Sequence, residues 1–243
     1  MSEESRNKKP NLTDEWETYL QIDAMYFHAA RQAHTRTEAK LQDIRKAEKN
    51  WESLDQEFEN VQSKHDDDIH SAYEELEPIA IDLENAHYLI GEAYAPLLKE
   101  IAVVHILCTA TLEAHINSVA KDMLQGKEQN LFQRLSLEAK WLFLPKLLGF
   151  SGFNPVCEPF QSFARLLGYR NKLIHYKELK EKWVYGSVPQ FINRLGLTVG
   201  DSRKSIAAVV RMIRELAEQQ NIDSPYWLRE DLNEMSYFDI LSD

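Results

Sequence analysis

The sequence predicts an all-α protein: an antiparallel helical hairpin leading into a helical bundle. Three observations carry this expectation. The 243 residues include only 8 glycines and 8 prolines, so turn signals are scarce. Neither residue occurs between Pro10 and Pro78. Apolar residues then recur at alternating spacings of three and four over two long stretches, which is the period of a helix face and not of a strand. With 44% apolar and 28% charged residues, the chain has enough material for a buried core.

The elements follow in chain order. Residues 1–10 read as a disordered tail. Residues 11–94 read as an acidic helical hairpin, with Thr13 as the first N-cap and Glu15 and Glu17 favourable in the first turn. Ile44, Ala47, Trp51, Leu54, Phe58 and Val61 form the first stripe. The polar run Lys64-His65-Asp66-Asp67-Asp68 marks the turn. A second stripe runs Ile69, Tyr73, Leu76, Ala80, Leu83, His87, Ile90, Tyr94, Leu97, Ile101, Val104 and Cys108. Pro78 and Pro96 fall inside it, and each is expected to kink the helix or start a new one. Gly126 is expected to end the helix. Residues 95–222 read as a helical domain, with further helices at about 133–148, 158–176, 187–195 and 201–220 and Asp201 as the last N-cap. Residues 223–243 form a C-terminal arm.

Composition narrows the function. Cys108 and Cys157 have no metal-like spacing, and a reducing compartment is the simple reading. The N-terminal ten residues lack the apolar core of a signal peptide. The apolar stretch Ile101 to Leu112 is too short to span a bilayer. A soluble, cytoplasmic protein with no membrane partner is therefore expected. The net charge is −11, yet its distribution is uneven. Residues 1–100 hold 23 acidic and 11 basic side chains, whereas residues 121–214 hold 7 and 16. The basic region can attract a phosphate backbone although the whole chain would not coat nucleic acid.

Arg170-Asn171-Lys172-Leu173-Ile174-His175-Tyr176-Lys177 is the densest cluster of chemically capable side chains. Arg170 offers a planar pair of donors to phosphate, and His175 is suited to proton transfer near neutral pH. Asn171 and His175 are one helical turn apart. Arg170 and His175 are five apart, roughly 140° around a helix. Their tips converge only if the helix ends there or a second chain completes the site. By itself the cluster reads more simply as the mixed polar face of a surface helix.

Arg170-Asn171-(x)3-His175 resembles the R-[N/D/H]-x-x-x-H signature of the HEPN superfamily of helical domains. The setting is similar too. An apolar helix ends in Thr111-Leu112-Glu113-Ala114-His115-Ile116-Asn117, Glu138-Ala139-Lys140-Trp141-Leu142 follows, and Phe160-x-x-Phe163-x-x-Leu166 leads into the motif. The resemblance covers about 95–220. It implies a metal-independent endoribonuclease, in many members a toxin or defence effector, without a cofactor, acting on RNA as a homodimer. Carried over by position, Arg170 and His175 would be catalytic and Asn171 would orient substrate. Lys172, Tyr176, Lys177 and Glu113 would bind substrate, Glu113 by helix order alone. Some members are inactive, so a non-catalytic dimerisation or nucleotide-binding module is the alternative. In either case the acidic hairpin would recruit an antitoxin or another protein partner.

The implied chemistry is self-consistent. A base removes the RNA 2′-hydroxyl proton, the oxygen attacks the adjacent phosphorus, and an acid protonates the leaving 5′-oxygen. His175 serves as general acid or base, and Arg170 stabilises the phosphoryl charge. Other signals are weaker. Glu84-x-x-His87 occurs once, where a di-iron bundle needs two copies, so His87 reads as a core histidine. Asp66-Asp67-Asp68 lacks the pattern of a calcium loop. No phosphate-cradling glycine loop exists.

Overall fold

The computed structural model describes residues 18–64, 69–177, 190–228 and 238–240. The fold is all-α. Helix α1 spans Ile22–Lys64 and α2 spans Ile69–Met123, followed by α3 (Gly126–Gln133), α4 (Leu137–Leu147), α5 (Phe160–Ile174), α6 (Gln190–Leu195) and α7 (Val199–Gln220). Two three-residue strands, β1 (Thr18–Leu20) and β2 (Phe238–Ile240), pair antiparallel and are the only strands among the described residues.

Helices α1 and α2 form the expected hairpin. Asp23 pairs with His115, Arg36 with Glu100 and Glu48 with Tyr94, so partners fall along α2 as they rise along α1. The α1 stripe from Ile44 to Val61 is the less exposed side of that helix, with Ile44 fully buried. The α2 stripe needs correction. Leu76, Leu83, Ile90 and Leu97 face inward as expected, but Tyr73, Ala80 and His87 are exposed. Ile79 and Ala86 take the alternate inward positions. Near the tip, among the described residues, only α1 covers α2, so the seam is narrow and favours a small residue such as Ala86 at the contact. His87 is therefore not a core histidine.

Below the tip the hairpin enters the bundle. Ala24, Phe27, Ala30 and Ala33 of α1 share one core with Val104, Cys108, Leu112 and Ile116 of α2, Trp141 and Leu144 of α4, Phe160 and Phe163 of α5, and Met212 and Ile213 of α7. A second cluster joins Ile44, Leu97 and Ile101 to Ile192 and Leu195 of α6. The boundary expected at residue 94 thus falls inside an unbroken helix, and the first half of α1 belongs to the bundle. By length and composition the helix Tyr73–Met123 is long and apolar enough to cross a membrane, unlike the short stretch read from sequence. Its residues Ile101, Val104, Cys108, Leu112 and Ile116 are buried in these two cores, whereas Ile106 is exposed.

The helix ends follow local chemistry. Thr198, not Asp201, caps α7. Its Oγ1 accepts from the Asp201 N–H at 3.1 Å, and the same hydroxyl donates to Asp201 Oδ2 at 2.6 Å. Asp201 is thus the third helical residue of a reciprocal cap. Asn221 closes α7 in the left-handed conformation. Gly126, with φ of 54°, opens α3 and does not end α2. Of the C-terminal arm, Trp227 and Leu228 are buried in the core. Thr13 and the Asp66 to Asp68 turn lie outside the described residues.

Helix α2 continues through Pro78 and Pro96. Both prolines are exposed, so water can reach the carbonyls their missing N–H groups leave unpaired. Pro96→Ala restores one helical hydrogen bond and should stabilise the fold by about 1–3 kcal/mol, read as a raised urea midpoint. An unchanged or lowered midpoint would show that the helix needs the proline's bend.

Candidate functional site

The site residues converge because α5 is amphipathic. Phe160, Phe163 and Leu166 are buried against the core, and Arg170 continues their side of the helix to its edge. Arg170 is half-buried. It lines a cleft of about 340 Å³ with Asn171 and Leu167 of α5, Thr109 and Glu113 of α2, and the Ser136 to Glu138 start of α4. Arg170 Nη1 donates to Asn171 Oδ1 at 3.0 Å. Thr109 and Glu113 are one helical turn apart on α2, so both face α5. Glu113 was legible only through the resemblance, and it does meet Arg170 and Asn171 in one cleft.

The remaining candidates lie elsewhere. His175 is the C-cap of α5, with φ of −104° and ψ of 32°, and its N–H donates to the Asn171 carbonyl at 2.9 Å. It is exposed and does not line the cleft. The helix ends as its buried face ends: Leu173 packs on the second cluster while Ile174 is exposed. Lys172 Nζ donates to the Arg194 carbonyl at 3.1 Å and so ties α5 to the end of α6. Tyr176 and Lys177 are exposed beyond the helix.

Two partnerships have no local sequence signal. Lys140 of α4 is buried, with its Nζ 3.7 Å from Glu113 Oε1 and over the Phe132 ring at 5.8 Å. It offsets the Glu113 charge and leaves Arg170 facing a cleft that is not uniformly acidic, although Glu138 remains. His115 turns away from Glu113 to the other side of α2 and donates from Nδ1 to Asp23 Oδ2 at 2.9 Å. The cleft therefore combines a guanidinium fork, a carboxamide, two hydroxyl-bearing residues and two carboxylates. Such a set can hold an anionic group on Arg170 and orient hydroxyls beside it. Among the described residues no three His, Cys, Asp or Glu side chains are arranged to hold a metal ion.

Behind Arg170 lies a rigid support. Tyr169 packs against His105 in a tilted arrangement, with ring centroids 5.1 Å apart, and donates to Asp201 Oδ1 at 3.3 Å. His105 is fully buried, its Nε2 2.8 Å from the Gly196 carbonyl and its Nδ1 2.8 Å from Ser205 Oγ. The carbonyl can only accept, so Nε2 carries the proton. Burial pushes His105 below its ordinary value of 6.5, against the opposing pull of the Gly196 carbonyl and Asp201. Burial likewise lowers His34. Both histidines bind protons more readily in the unfolded chain than in the folded one. Their contribution is therefore present above pH 6.5 and is lost as pH falls below it. Urea unfolding at pH 7.5, 6.5 and 5.5 should show falling stability, with a shallower fall for His105→Gln. An equal slope in that variant would rule out His105 as the source.

No family model, curated protein or solved structure matches this chain.

Proposed function

We propose that the chain is a metal-independent endoribonuclease of HEPN type that acts as a homodimer. The observation that supports this most is the meeting of Arg170, Asn171 and Glu113, from segments far apart in sequence, in one polar cleft at the last turn of the helix that the exposed His175 caps. Arg170 binds the scissile phosphate and stabilises charge on its oxygens. His175, outside the cleft of its own protomer, exchanges the proton of the 2′-hydroxyl or of the leaving oxygen. A two-fold pairing sets His175 of one copy against the cleft of the other. RNA is cut and DNA is spared, because DNA lacks the internal nucleophile.

The test is incubation of purified protein with structured RNA in EDTA. Fragments ending in a 2′,3′-cyclic phosphate are expected, and a 2′-deoxy substitution at the cut site should abolish cleavage. Light scattering should report a dimer at micromolar concentration. A second reading draws on the separation of His175 from the cleft and on the Arg170–Asn171 hydrogen bond. On that reading the domain is a non-catalytic dimerisation or nucleotide-binding module. Stable dimers without cleavage would favour it.

A further inference from the structure

We propose that the outer face of α2 near the hairpin tip is a docking surface for a basic amphipathic helix of a partner protein. At about 100° per residue, Ile81 and Tyr88 point directly away from the Leu83, Ala86 and Ile90 seam that faces α1. Ile81 is 53% exposed and Tyr88 65%. Two large apolar side chains, one heptad apart, thus lie on a helix face that nothing among the described residues covers. Glu74, Glu77, Glu84 and Glu92 share this face, and all four are exposed. Residues 69–94 carry six acidic side chains and no lysine or arginine.

The charge pattern selects the occupant. A helix laid along α2 places apolar residues at a heptad spacing on Ile81 and Tyr88, and basic residues beside that stripe meet the glutamates. A second copy is disfavoured, because a two-fold pairing of this face sets glutamates against glutamates. An anionic membrane surface is repelled for the same reason. No residue of the Arg170 cleft takes part, so this surface stands apart from the ribonuclease reading.

The probe is a labelled three-heptad peptide with leucine at positions a and d and lysine at e and g, titrated with the full chain by fluorescence anisotropy. A scrambled peptide of the same composition is the control. The parent chain should bind the amphipathic peptide, and the scrambled one at least about tenfold more weakly. Ile81→Glu with Tyr88→Glu removes the apolar contact while adding acid, and should weaken binding at least about tenfold. Glu77→Lys with Glu84→Lys should weaken it similarly. Circular dichroism should show both variants folded, since the replaced side chains are exposed.

Failure of the parent to bind the peptide would overturn the proposal. Equal binding of the scrambled peptide, or undiminished binding by the Ile81→Glu, Tyr88→Glu chain, would reduce the face to bulk acidity and also overturn it. Loss of self-association in that variant by sedimentation velocity, with peptide binding unchanged, would assign the face to a second copy instead. Unfolding of the variant would show that Ile81 and Tyr88 are structural.

Discussion

His175→Ala should slow RNA cleavage by about 10²–10⁴-fold, because it removes the group that moves the proton. Arg170→Ala should cost a similar factor, through lost stabilisation of the phosphoryl oxygens. The two should differ elsewhere. His175 is exposed at the helix end, so its alanine variant should keep the parent's thermal midpoint. Arg170 is half-buried beside Asn171, so its variant should lose some stability as well. Arg170→Lys should restore little, since an ammonium cannot reproduce the planar pair of donors. Mixing the His175→Ala and Arg170→Ala proteins is the sharper measurement. If each cleft takes its histidine from the partner, heterodimers rebuild one site from two defective chains, and part of the activity returns. A His175→Ala chain that cuts RNA at the parent rate would overturn the assignment and favour the non-catalytic module.

Gly196→Ala should destabilise the fold by about 2–5 kcal/mol. Gly196 has φ of 68°, where a side chain is strained. A β-carbon there would also lie 2.5 to 2.6 Å from three ring atoms of Tyr169. Those ring atoms cannot retreat freely, because the tyrosine ring also packs against buried His105. Combining the change with Tyr169→Ala should relieve the clash but not the backbone strain. Urea unfolding of the four chains therefore separates the two costs. A Gly196→Ala chain as stable as the parent would show that the loop before α7 is free to move. Tyr169 immediately precedes Arg170, so the displaced ring should also weaken RNA cleavage in any chain that still folds.

The helices were legible wherever a stripe of large apolar side chains met a broad core. Ile101, Val104 and Cys108, and likewise Phe160, Phe163 and Leu166, sit where their spacing put them. The reading slipped at Tyr73, Ala80 and His87, where it followed the two larger side chains to an α2 face that is exposed. A two-helix seam selects closeness of approach, and Ala86 gains its place by being small. Neither Pro78 nor Pro96 starts a new helix, since a helix face open to water tolerates an unpaired carbonyl. In the cleft, Arg170 and Asn171 were legible as a local cluster. Glu113 was legible by resemblance alone. Lys140 and the Asp23–His115 pair were not, because each joins residues whose proximity exists only after the helices pack.

The shared core of α1 and α2 changes what counts as a part of this molecule. Cutting the chain at residue 94 would strip Ala24, Phe27, Ala30 and Ala33 from the bundle and open its interior to water. The separable piece is defined across the hairpin and not along the chain. Glu48 and Tyr94 stand opposite one another, joined by a 3.1 Å hydrogen bond. Among the described residues, everything beyond that rung reaches the bundle through α1 and α2 alone. The tip is in effect an insertion within a smaller domain whose two ends already meet. Its length and sequence can therefore diverge or be exchanged while the Arg170 cleft keeps its geometry.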